Sequence, residues 1–266
     1  MPNLLHLIQE SKEFLHIKSL LTENNRLDLT VSNGVEGVLL SLIGRSLQKK
    51  VLVISPSSED VTRLFDSLQV FAGSDCPVYL FPEHDSSSFD RATTDVRSKY
   101  SRLKAISGLM SLKKDKPAIF IASIQSILQK TIDHKTYLEF QQRLSVGMLE
   151  NITALSKKLM AAGYQLENIS DTAGSIAVRG SIIDVFPPEY ELPLRIEFWD
   201  NKIETIRAFD PVTQKSTNTL KHEVIIGPAE EVLTSSINPI EVLALRSEID
   251  FPQFTDEIEN EIKTKL

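Results

Sequence analysis

Arg195, Glu197 and Trp199 occupy alternate positions of the run Leu194–Trp199, with Leu194, Ile196 and Phe198 between them. In a strand the two sets point to opposite faces, so one face is apolar and the other carries a guanidinium, a carboxylate and the chain's only indole. Such a set suits docking rather than catalysis, because arginine and tryptophan are enriched among the residues that dominate interface energies. Arg195 and Trp199, four apart, share that face. The blander alternative is that Arg195 pairs with Glu197 or Glu204 and Trp199 packs under a neighbouring domain. Asp184, Asp200 and Asp210 are expected to be turn or surface carboxylates, with no catalytic set among them.

Two further clusters could do chemistry. The turn 32–38 reads Ser-Asn-Gly-Val-Glu-Gly-Val and precedes a helical pattern, the place where an α/β fold presents backbone N–H groups to phosphate. A working phosphate loop also needs a lysine for the β/γ-phosphates and a Ser/Thr for magnesium. Here Glu36 stands for the glycine before the lysine, Gly37 for the lysine and Val38 for the hydroxyl. With Gly34 they form a degenerate loop, expected not to bind nucleotide, since a carboxylate aimed at a triphosphate repels it. In the loop 81–91, Glu83, His84 and Asp85 are potential metal ligands beside serines 86–88. Adjacent residues rarely converge on one ion, and His6, His16, His134 and His222 offer no ligand spacing. Turn formation and capping are expected there, with neither a metal nor a catalytic residue.

The elements that position these residues fall into two patterns. Over 1–131, β-rich runs at 28–31, 51–55, 78–81 and 118–122 alternate with helical periodicity at 39–47, 61–71, 103–112 and 124–128, which predicts an α/β domain with a parallel sheet flanked by helices. Residues 131–135 read as a linker. The second unit, 132–220, is predicted as a smaller α+β domain: a strand at 137–144, a helix at 149–162 with Leu155, Leu159 and Ala162 on one side, Gly163 as its stop, then an antiparallel meander turning at Asp200-Asn201. Residues 221–266 read as the start of a further α/β subdomain that stops within a helical pattern begun at Thr255, as in a truncated protein.

Composition excludes several classes. One cysteine, Cys76, rules out an internal disulfide, and no apolar run is long enough to span a bilayer, so a cytoplasmic protein without membrane contact is expected. The net charge of -7 argues against broad phosphate binding. The five tyrosines are dispersed, so no aromatic wedge for damaged DNA is visible.

One long motif resembles a known family. Gly163-Tyr164, Gly174, Val178-Arg179-Gly180, the segment from Ile183 through Asp184, Val185 and Phe186 to Pro187, Arg195 to Phe198, Ile203-Glu204, Ile206-Arg207, Phe209-Asp210-Pro211 and Gln214 occur in the order and spacing of the bacterial transcription-repair coupling factors. The N-terminal region of that family is related to the excision-repair protein UvrB. The resemblance implies that 132–220 is a UvrA-binding domain and that Arg179, Arg195 and Trp199 contact UvrA, Trp199 standing where the family often has phenylalanine. It also implies a degenerate phosphate loop, where UvrB has an intact one, and a loop 81–91 in place of UvrB's aromatic hairpin. Full-length members translocate on DNA with ATP and Mg and displace stalled RNA polymerase through domains whose motifs are absent here. The expected role is thus a monomeric adaptor without cofactor or enzymatic activity, recruiting UvrA in transcription-coupled nucleotide excision repair. The alternative is a UvrB-like ATP-binding or damaged-DNA-binding repair protein.

Overall fold

Three parallel strands and the helices around them occupy the first half of the chain, and their side chains show why. Strand β3 (Ala118–Ser123) is buried along its whole length. Ile119 and Ile121 point to one face, among Val61, Leu68, Ala72 and Cys76, while Ala118 and Phe120 point to the other, against Ala105 and Leu112. A strand covered on both faces reads as continuous apolar sequence, as this one does. It pairs in parallel with β1 (Lys50–Ser55) and β2 (Val78–Phe81), giving the order β1-β3-β2. Helices α3 (Glu36–Leu47) and α4 (Ser58–Phe71) pack together on the first face, and α5 (Val96–Ser111) packs on β2. Ser57 caps α4, accepting from the Asp60 amide. Short helices α1 (Leu4–Gln9) and α2 (Lys12–Glu23) precede α3, and α6 (Ile124–Leu128) follows β3.

The protein is seen in a computed structural model that describes residues 4–24, 26–32, 34–84, 96–112 and 116–233. It forms two compact units, 1–231 and 232–266, and of the second only Val232 and Leu233 are described. The helical pattern expected from Thr255 lies outside the described residues. Among those described, no helix is long and apolar enough to cross a membrane.

The second half is antiparallel. After α7 (His134–Phe140) and β4 (Gln142–Ser145) comes α8 (Ile152–Ala161), whose Asn151 cap accepts from the amides of Thr153 and Ala154 at 3.0 and 3.1 Å. Gly163, at φ 92°, ends it. Strands β5 (Gln165–Leu166), β6 (Ser175–Arg179), β7 (Ile182–Val185), β8 (Leu194–Trp199), β9 (Lys202–Phe209) and β10 (Ser216–Leu220) form a six-stranded sheet in reverse order, antiparallel except for β5 with β6. Leu155 and Leu159 of α8 share one core with Ile176, Ile183, Val185, Leu194, Ile196, Phe198, Ile203 and Ile206. The β8–β9 hairpin turns at Asp200, in the left-handed region at φ 55°. This is an α/β architecture with a small parallel sheet, helices and antiparallel sheets.

Four expectations need correction. Residues 28–31 form no strand: Leu29 is exposed and the run has no partner, so the turn 32–38 follows irregular chain. The first half of the strand expected at 137–144 is helix α7, because Asp133 accepts from the amides of Lys135 and Thr136 and nucleates a turn that outweighs β propensity, and only 142–144 are strand, within β4. The same cap makes the expected linker the ordered entry to that helix, with Ile132 buried. The boundary at residue 220 cuts a packed body: β11 (Glu223–Ile226) pairs antiparallel with β4, and Val224 and Ile226 join the core around α8.

Candidate functional site

Strand register assembles the outer face of the meander in rows. Ala177, Asp184, Arg195 and Arg207 lie side by side across β6, β7, β8 and β9. The next row holds Arg179, Ile182, Glu197 and Thr205, and Trp199 follows beside Lys202 after a bulge between Glu197 and Phe198. Alternation survives the bulge: Leu194, Ile196 and Phe198 are buried while Trp199 is 72% exposed.

The carboxylate of Asp184 organises this face. It is 1% exposed and receives Arg195 in a fork, Nε on Oδ1 at 2.7 Å and Nη2 on Oδ2 at 2.8 Å. Arg179 Nη2 reaches the same Oδ2 at 2.7 Å. Arg195 also donates from Nη1 to the Gln214 carbonyl at 3.2 Å, and its guanidinium lies 4.7 Å from the centre of the Phe209 ring. The hydrogen-bonded Asp184 raises the Arg195 pKa above its ordinary value, against the opposing effect of burial. Gln214 closes the site from the turn that follows β9, where Asp210 accepts from the amides of Val212 and Thr213 at 2.8 Å. Those two bonds hold the exposed Asp210 carboxyl below its usual range.

The structure thus brings Arg179 and Arg195 together on one buried anion and leaves Trp199 free on the same face. Asp200 and Asp210 are turn residues, as expected. Asp184 is neither turn nor surface: it is the buried centre of the cluster. Arg195 pairs with neither Glu197 nor Glu204, and Glu197 accepts instead from the Thr205 hydroxyl at 2.7 Å. The side chain of Arg179 is half exposed, whereas that of Arg195 is only 16% exposed. The alternation Ile183-Asp184-Val185 signals an outward carboxylate; its burial depends on Arg195 and Gln214, distant in sequence, and no local pattern reports it.

The turn before α3 has its own geometry. Gly34, at φ 87°, donates its amide to Glu36 Oε2 at 2.7 Å, so the carboxylate folds onto the backbone of the turn. Gly37 lies against α4, and a Cβ placed there would sit 2.1 Å from Ser67 Oγ. Any side chain at that position requires the two helices to part. In the loop after β2, Glu83 accepts from Ser123 Oγ at 2.7 Å, the His84 amide donates to Gln129, and Asp85 lies outside the described residues.

Residues 143–231 match the UvrB interaction domain family. Over 226 residues, 83% of this chain, the sequence is 29% identical to the transcription-repair-coupling factor of Myxococcus xanthus. It is 27% identical to that of Bacillus subtilis over 252 residues, 94% of the chain, and 29% identical to that of Haemophilus influenzae over 202 residues, 76% of the chain. The chain spans about a fifth of the length of these relatives, 19%, 21% and 17% respectively. The segment that matches the UvrB interaction domain family thus runs from β4 to just past β11, and the chain is similar over most of its length to the transcription-repair-coupling factors.

Proposed function

We propose that this chain is an adaptor that recruits UvrA, linking it to RNA polymerase stalled at DNA lesions in transcription-coupled nucleotide excision repair. The observation that carries the reading is the clustering of Arg179 and Arg195 on Asp184, on the same sheet face as an exposed Trp199, within the segment that matches the UvrB interaction domain. Exposed tryptophan and oriented arginines on one face are the residue types that dominate protein hot spots. Contacts with RNA polymerase and DNA, and the ATP- and Mg-dependent translocation that the resemblance implies for full-length members, are not placed on these residues. The chain acts as a monomer without a cofactor.

The turn 34–38 is read as a degenerate phosphate loop. Its Gly34 amide donates to the Glu36 carboxylate, and the lysine position is a glycine wedged against Ser67. A UvrB-like ATP-binding role is disfavoured on those grounds.

The test is a titration of purified UvrA against the chain and its Trp199→Ala and Arg179→Ala variants. Each is expected to weaken binding by about 2 kcal/mol with the fold retained. Wild-type affinity in both variants moves the adaptor surface elsewhere.

A further inference from the structure

The row that holds Trp199 does not end at Lys202. On the side of β9 away from β8, residues 147–150 run antiparallel to its first residues, and Leu149 lies opposite Lys202 as Trp199 does. The Ile203 amide donates to the Met148 carbonyl at 2.9 Å and the Glu150 amide to the Asn201 carbonyl at 2.8 Å, so Leu149 and Lys202 form a non-hydrogen-bonded pair, the kind with the closer side chains. Residues opposite each other share a face, and the alternation agrees in all three segments. Phe198, Ile203 and Met148 belong to the core, whereas Trp199, Lys202 and Leu149 turn outward. Leu149 is 77% exposed, as open as Trp199. The two stand two strand spacings apart, about 10 Å, with the Lys202 stem between them. Among the described residues, the Lys202 ammonium has no hydrogen-bond or ion-pair partner, so nothing draws that stem off the row.

We propose that Leu149 is a further contact residue for UvrA, and that Trp199, the Lys202 stem and Leu149 form one apolar strip that takes an apolar patch of that partner. The inference rests on the UvrA-recruitment reading and adds to it a residue and the chemistry of the contact. Single exposed apolar side chains are ordinary on a protein surface, but large ones set in one row mark a contact site. All three residues lie within 143–231, the segment that matches the UvrB interaction domain. A second copy of this chain suits the strip poorly. A two-fold contact centred on it sets Lys202 against Lys202, between chains that each carry a net charge of -7. A different protein with an apolar patch meets neither repulsion at the row.

The experiment is a set of titrations of UvrA against the whole 266-residue chain, with thermal melts and sedimentation of every variant. Leu149→Ala is expected to weaken binding about fivefold. Its melting temperature is expected to stay at the wild-type value, because the side chain leaves solvent and not the core. Lys202→Met keeps the stem and loses the charge, and is expected to bind within about twofold of wild type, whereas Lys202→Ala is expected to lose about as much as Leu149→Ala. Equal losses for Met and Ala at 202 make the contact one of charge and overturn the apolar strip. Leu128→Ala, which removes an equally open leucine on α6 outside the matched segment, is expected to leave binding within about twofold. A loss there equal to that of Leu149→Ala overturns the assignment to this row. A wild-type dimer that Leu149→Ala dissociates gives the strip to a second copy and overturns the proposal. Failure of the wild-type chain to bind UvrA removes the adaptor reading and this inference together. Binding by the wild type, weakened by Trp199→Ala and indifferent to Leu149→Ala, removes this inference alone.

Discussion

Among the described residues, two buried clusters of arginine and carboxylate are built in opposite senses. At the junction of the two halves the arginine is the buried centre: Arg102, wholly inaccessible on α5, donates to Glu231 at 2.7 and 3.0 Å, to the Pro82 carbonyl at 2.7 Å and to Gln129, and stacks over the Phe81 ring. Glu231 is itself satisfied by the Thr131 hydroxyl. On the meander face the carboxylate of Asp184 is the buried centre, with Arg195 closing over it and Arg179 reaching out to solvent. A buried cation ringed by acceptors ties elements together and offers nothing to solvent. A buried anion ringed by cations displays them. Which partner is inside decides whether an ion pair is a fastener or a surface.

The sharpest way to break this comparison is to truncate an arginine on each side. Arg102→Met leaves Glu231 without its cation and is expected to cost about 3–5 kcal/mol in urea denaturation. Arg179→Met, which leaves Asp184 its fork from Arg195, is expected to cost less than about 1 kcal/mol. Comparable losses would mean that the meander cluster is a fastener too.

Neighbouring residues of β8 separate stability from recognition next. Phe198, 4% exposed in the core, is expected to lose about 3–5 kcal/mol of stability on truncation to Ala, with UvrA binding falling only as the fold does. Trp199→Ala is expected to stay within about 0.5 kcal/mol of wild-type stability while losing the affinity predicted above.

A third carboxylate sharpens the contrast by lacking a cation. Glu189 accepts from the Gly227 amide at 2.7 Å at the wall of a cleft of about 390 Å³, also lined by Lys104, Arg143 and Glu223. Burial pushes its pKa from 4.5 up to about 7, opposed by the amide bonds. A carboxyl whose folded pKa exceeds its unfolded value favours the folded state most below pH 4.5, and that contribution is lost as pH rises through about 7. The wild-type melting temperature is expected to fall between pH 5 and about 8, and Glu189→Gln to flatten that fall. An unchanged slope in the variant assigns the effect to another group.

The smallest expected signal is none. Calorimetric titration with Mg-ATP is expected to give no saturable heat, because the Glu36 carboxylate occupies the Gly34 amide and would repel a phosphate at the turn. Saturable heat lost on altering Glu36 would restore a nucleotide site.

Much of the architecture is written in local pattern. The meander follows from the strict alternation in β8 and the Asp200-Asn201 turn, and α8 from Leu155, Leu159 and its Gly163 stop. The helix 134–140 had a signal too, in Asp133 three residues before Thr136, but Tyr137, Leu138 and Phe140 have enough β propensity to mask it. The charged centres were not legible in the same way. Arg102 and Glu231 are separated by 129 residues, and Asp184 differs from any outward strand carboxylate only in what folds over it. Burial of a charge depends on tertiary partners, whereas a strand or a helix announces itself within a few residues. For the same reason the faces of Arg195 and Trp199 could be read from spacing, but the inward role of Arg195 could not.

The pairing of β4 with β11 brings the first and last strands of the segment 142–226 side by side, Gln142 opposite Ile226 and Ser145 opposite Glu223. A body whose chain enters and leaves through neighbouring antiparallel strands behaves as a cassette: it can be spliced into a host sequence at a single point without stretching the host. Grafted between the ends of an unrelated surface loop, residues 142–226 would carry most of that core and the whole of the Asp184 cluster, and any contact proposed for that cluster would be testable in the new host.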